Sequence, residues 1–99
     1  MEIFDLKNIK KGPNKEQMSI LLFEKDGVKL RTIIIGSGEK IPTCDMTYRV
    51  IFHVVLGSVE ITVNDEVHNL QEGFCLTTEP AKISMRSEKG SRLLGIQIA

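Results

Sequence analysis

Few side chains in this 99-residue chain can do chemistry, and most of those that can fall between Ile41 and Arg86. They are two cysteines, Cys44 and Cys75, two histidines, His53 and His68, two of the four methionines, Met46 and Met85, and the polar trio Tyr48, Arg49 and Arg86. A cysteine becomes a nucleophile only as a thiolate, which needs a base or cation beside it. By strand parity neither histidine stands where it would activate Cys44. A tyrosine and an arginine together can hold an anionic or aromatic ligand. The competing reading of Arg49 and Arg86 is that they are ion-paired surface residues. Gly36-Ser37-Gly38 is no phosphate loop, because no Gly-Lys-Ser/Thr follows.

The elements that must position these residues read as strands. Met18 to Phe23 is apolar, and Asp26-Gly27 then supplies the positive φ of a tight hairpin. Val28 to Ile35 alternates, with Val28, Leu30, Thr32 and Ile34 on one face and Lys29, Arg31, Ile33 and Ile35 on the other. The first half of that second face reads as wet. Tyr48 to Leu56 is apolar on both faces apart from Arg49 and His53, the mark of a strand covered on both sides. Gly57-Ser58 is expected to turn it, and Val59 to Val63 to follow. Asn64-Asp65 is a two-residue hairpin signal. Val67 to Leu70, Phe74 to Thr77, Lys82 to Arg86 and Arg92 to Ile98 complete eight short strands with no amphipathic helix. The pattern predicts an all-β antiparallel barrel or double sheet. A pocketless eight-stranded sandwich is the competing arrangement. Residues 1–17 are expected to form an N-terminal arm or strand and loop punctuated by Gly12-Pro13-Asn14, and 18–99 the barrel of a single domain.

Composition excludes several function classes. Thirteen basic residues balance thirteen acidic ones, so no field steers nucleic acid or an anionic membrane. Five per cent aromatic residues is also too few for base-stacking platforms. A neutral chain has little repulsion between copies, which favours self-association. No segment is apolar for long enough to be a signal peptide or a membrane span. Two cysteines make no disulfide framework, and reduced thiols in the cytoplasm are expected, with a single Cys44–Cys75 bridge as the alternative.

Two stretches together resemble a small single-domain cupin of the conserved-barrel type. They are Ile41 to Val63 (IPTCDMTYRVIFHVVLGSVEITV) and Val67 to Met85 (VHNLQEGFCLTTEPAKISM). Gly57 after the long apolar strand, the Asn64-Asp65 hairpin, the Leu70-to-Gly73 turn and Pro80 fall in the order and spacing of that family. The resemblance covers roughly residues 35–98. It implies a jelly-roll barrel (a double-stranded β-helix), frequent homodimers, and a divalent metal held by His-x-His, a later Glu and a final His. Counting back from Gly57, the glutamate place is Val50 and the histidine places are Met46 and Cys44; with one more residue of spacing they become Asp45 and Thr43. Counting forward from Pro80, the last histidine place is Met85, with Ser84 its neighbour.

These substitutions remove the donors that a hard or borderline cation needs. Val50 has no lone pair, and thioether sulfur is a weak ligand. Cys44, Met46 and Met85 would together suit only a soft ion such as Cu(I). The plainer reading is that the methionines fill irregular core space. His53 opposes Val50 in parity and is expected to face outward, at the surface or a dimer interface, and His68 to be solvated. The expectation is a metal-free, cupin-like binding or structural module, homodimeric through the face around Ile51, His53 and Val55 or around Ile33 and Ile35. Its pocket candidates are Cys44, Met46, Tyr48, Val50, Phe52, Met85 and Arg86, with no catalytic residue, no cofactor, no nucleic-acid partner and a small organic ligand. The alternative is a cupin-type isomerase, epimerase or dioxygenase with atypical metal ligands.

Overall fold

The computed structural model describes residues 1–11 and 18–99, and among them eight strands and no helix. They are β1 (Ser19–Lys25), β2 (Val28–Ile35), β3 (Lys40–Met46), β4 (Arg49–Val63), β5 (Glu66–Gln71), β6 (Cys75–Thr78), β7 (Ala81–Arg86) and β8 (Ser91–Ile98). All pairings are antiparallel. One sheet runs β1-β2-β8-β4-β6, and the other runs β3-β7-β4-β5. β4 belongs to both: its first half pairs with β8 and β6, its second half with β7 and β5. This is the expected jelly-roll arrangement, with the core between the two sheets.

β-Branched residues make β2 a full-length partner of β8, from Val28↔Ile98 to Ile35↔Ser91. At the β1–β2 turn Asp26 and Gly27 both have positive φ, as do Asn64 and Asp65 between β4 and β5, the backbone that two-residue hairpins require. Between the sheets, Ile35, Val50, Val54, Ile61 and Leu93 are buried almost completely.

The strand count matches the sequence reading, but two of its members differ. The expected turn at Gly57-Ser58 is absent, and β4 runs unbroken for 15 residues. A register shift between Val54 and Leu56 and the positive φ of Gly57 bend it from one sheet into the other. Conversely, β3 escaped the pattern because it is an exposed edge strand paired only with β7. It carries Pro42 inside a bulge between Ile41 and Cys44, where a missing N–H is tolerated.

The alternative dimer face around Ile33 and Ile35 is also corrected. Both lie in the core, 6% and 1% exposed, because their parity on β2 points them between the sheets. Residues 1–11 hold no strand, only a turn in which the Asn8 backbone N–H donates to the Asp5 carbonyl at 3.1 Å. An Arg92 Nη1 donates to the Ile9 carbonyl and ties this arm to β8. The Gly12-Pro13-Asn14 loop lies outside the described residues. Cys44 and Cys75 are unbridged and exposed.

Candidate functional site

Register decides which side chains meet between the sheets. Cross-strand rows align Lys29, Gln97 and Val50; then Arg31, Gly95 and Phe52; then Ile33, Leu93 and Val54. Residues directly opposite one another share a face, so Arg31 and Gln97 stand on the same side as the buried Val50, Phe52 and Leu93. Gly95 leaves a gap in the middle row. A Cβ there would sit 3.3 Å from Ile33 Cδ1 and 3.5 Å from Phe52 Cε1, so those two side chains close over the bare backbone. From the facing sheet come Ile41, Cys44 and Met46 of β3 with Ile83 and Met85 of β7.

Together these residues line a cavity of about 250 Å³ that is partly open to solvent. Its wall is Ile33, Ile41, Cys44, Met46, Val50, Phe52, Ile83, Met85 and Gly95, with Ser19, Arg31 and Gln97 as its polar members. The space exceeds the ~150 Å³ of a dry cavity that takes up benzene, and approaches the ~300 Å³ lower end of small-molecule pockets. Arg31 Nε donates to Gln97 Oε1 at 3.2 Å.

Five pocket candidates from the sequence therefore line one cavity: Cys44, Met46, Val50, Phe52 and Met85. Tyr48 and Arg86 do not. Tyr48 is 38% exposed, with the Lys29 Nζ 5.9 Å above its ring. Arg86 Nη2 is 3.0 Å from Glu60 Oε2, on a separate, more polar pocket of about 450 Å³ shared with Asn69 and Glu88. Arg49 is paired at 2.8 Å with Glu79. Ser19, Arg31 and Gln97 were missed. Arg31 alternates with Ile33 and Ile35, and that parity was the available signal.

The places to which the resemblance assigns metal ligands meet at this cavity, but their chemistry does not suit such an ion. Val50, Cys44, Met46 and Met85 offer no nitrogen or oxygen. Neighbouring residues do not supply them. Thr43 and Asp45 are exposed and off the cavity, and Ser84 has the opposite parity, beside Thr62. The histidines are elsewhere: His53 pairs across the first sheet with Leu94 and Cys75, and His68 Nε2 is 3.5 Å from Glu66 Oε1. Among the described residues no three His, Cys, Asp or Glu side chains gather as a metal site. The backbone positions of the two methionines are also apart. Met46 pairs with Ala81, four residues from Met85, or roughly 13 Å along the ladder.

No protein-family model matches the chain, and no curated protein matches it in sequence. Solved structures do match its fold. A protein from Thermus thermophilus superposes with a TM-score of 0.86 at 22% identity, over 99% of this chain and 97% of that one. An RmlC-like cupin protein from Desulfovibrio desulfuricans gives 0.83 at 15% identity, over 99% and 96%. A cupin superfamily protein from Desulfitobacterium hafniense gives 0.79 at 20% identity, over 94% and 85%. With the double sheet and the shared β4, these likenesses establish the fold: the chain has the jelly-roll fold of cupins.

Proposed function

We propose that this protein is a cupin-type binding module that takes a small organic molecule into the cavity between its sheets and holds no metal at the places where cupins hold one. The reading is carried by one observation: the residues at those places line a single cavity of about 250 Å³ and present carbon and sulfur to it. An apolar wall with a few polar groups on one side is the ordinary make-up of a small-molecule site. The reading includes a homodimer, formed through the outer face of the first sheet around Ile51 and His53, and reduced cysteines, as in the cytoplasm.

Methionine methyl NMR tests it. Of the four methionines, Met46 and Met85 line the cavity, and Met1 and Met18 do not. Benzyl alcohol titrated into the protein should shift the Met46 and Met85 methyl signals saturably and leave that of Met1 in place. Val50→Phe, which fills the space, should abolish the shifts. No response at either methyl, or the same response in the filled variant, would refute a ligand cavity. Near-stoichiometric transition metal in untagged protein, lost in Cys44→Ala, would instead favour the metalloenzyme.

A further inference from the structure

We propose that the natural ligand is a small monocarboxylate with an apolar body of about one ring, its carboxylate held by Arg31. This deepens the binding-module reading and rests on it. The other arginines of this chain are satisfied by oxygen partners. Arg49 and Arg86 are ion-paired with Glu79 and Glu60, and Arg92 donates to the Ile9 carbonyl. Arg31 is different. It is half-buried, it lines the cavity, and among the described residues its one side-chain hydrogen bond is Nε to Gln97 Oε1 at 3.2 Å. No carboxylate lies within 4.0 Å of it among the described residues, and none lines the cavity.

A half-buried guanidinium beside an apolar wall is partly desolvated without a counter-charge, and an anionic ligand offsets that cost. Gln97 holds Nε and so fixes the plane of the fork. The two Nη groups are left to donate in parallel, the geometry that fits a carboxylate. The next cation in the inner rows, Lys29, is held 3.3 Å from Glu24, so the cavity presents one net positive charge and suits a monoanion. The rest of the wall is carbon and sulfur, and its volume admits about a benzene ring with a short substituent.

Sodium benzoate and its neutral isostere benzamide are the probes, read by calorimetry and by the Met46 and Met85 methyl signals. Wild-type protein should bind benzoate about 10- to 100-fold more tightly than benzamide, the range expected of a charge-assisted bidentate pair. In Arg31→Met that preference should fall to about one while benzamide binding persists. Arg31→Lys should retain part of it. Equal binding of the two probes by the wild type would overturn the carboxylate assignment and leave the cavity reading standing; this comparison needs no variant to fold. Binding of neither probe would overturn both. Displacement of benzoate by equimolar inorganic phosphate would overturn the monoanion assignment.

Discussion

Met85 and Val50 sit where the packed core gives way to the cavity. Val50 is 1% exposed and Met85 5%, yet each has the cavity on one side. A side chain already beside free space loses fewer contacts on truncation than one packed all round. Met85→Ala should therefore destabilise the protein by about 2 kcal/mol, the low end for buried methionine, whereas Leu93→Ala in the closed core should cost about 4 kcal/mol. Urea unfolding of both variants checks the difference, and equal losses would mean that Met85 borders no space. At this scale the sequence revealed the cavity wall better than its polar members. Val50, Phe52 and Met85 could be placed because strand parity and the spacing from Gly57 and Pro80 point inward. Arg31 was hidden because a charged residue early in an alternating strand looks solvated, and only its neighbours Ile33 and Ile35 betray its face. Tyr48 and Arg86 were misleading for a different reason: their chemistry shows in the sequence, but Arg86 has the opposite parity to the inward Met85, and Tyr48 precedes the start of β4.

β4 is the element on which the architecture turns. It serves both sheets, and Gly57 lies where it leaves one for the other. Its φ is +80°, and a Cβ there would collide with the carbonyl oxygen of Gly90, which is backbone and cannot swing aside. Gly73 has a similar φ of +89°, but a Cβ there would have nothing within 4 Å. The two glycines thus separate conformational strain from collision. Gly73→Ala should cost about 1–2 kcal/mol from the left-handed backbone alone. Gly57→Ala should cost at least about 2 kcal/mol more, or prevent folding. Thermal unfolding of the pair decides, and equal melting temperatures would show that the approach of Gly57 to Gly90 carries no constraint. The same glycine explains why one strand was read as two. Gly-Ser after an apolar run is a turn signal, and a bulge that bends a strand uses the same backbone freedom. β3 was missed because the bulge at Pro42, between Ile41 and Cys44, interrupts the alternation of its inward face.

At the scale of the whole molecule, the outer face of the first sheet matters most. Leu30, Ile96 and Ile51 form one cross-strand row there, and Leu94 and His53 lie in the next. The homodimer reading makes this the contact with a second copy. Light scattering should then give twice the 11.1 kDa of one chain at micromolar concentration, and Ile51→Lys should halve that mass without unfolding the protein. A single-chain mass for the wild type would contradict the dimer and leave the cavity untouched. The fold class was legible because turn signals recur at barrel spacing, but the choice of ligand depends on how the sheets face each other. The central claim, that the space between the sheets is an apolar binding cavity and not a cage for an ion, is met most directly by anomalous diffraction from crystals of untagged protein pressurised with xenon. A xenon peak is expected among Val50, Phe52 and Met85. A metal peak in that position, ligated by side chains of this chain, would contradict it.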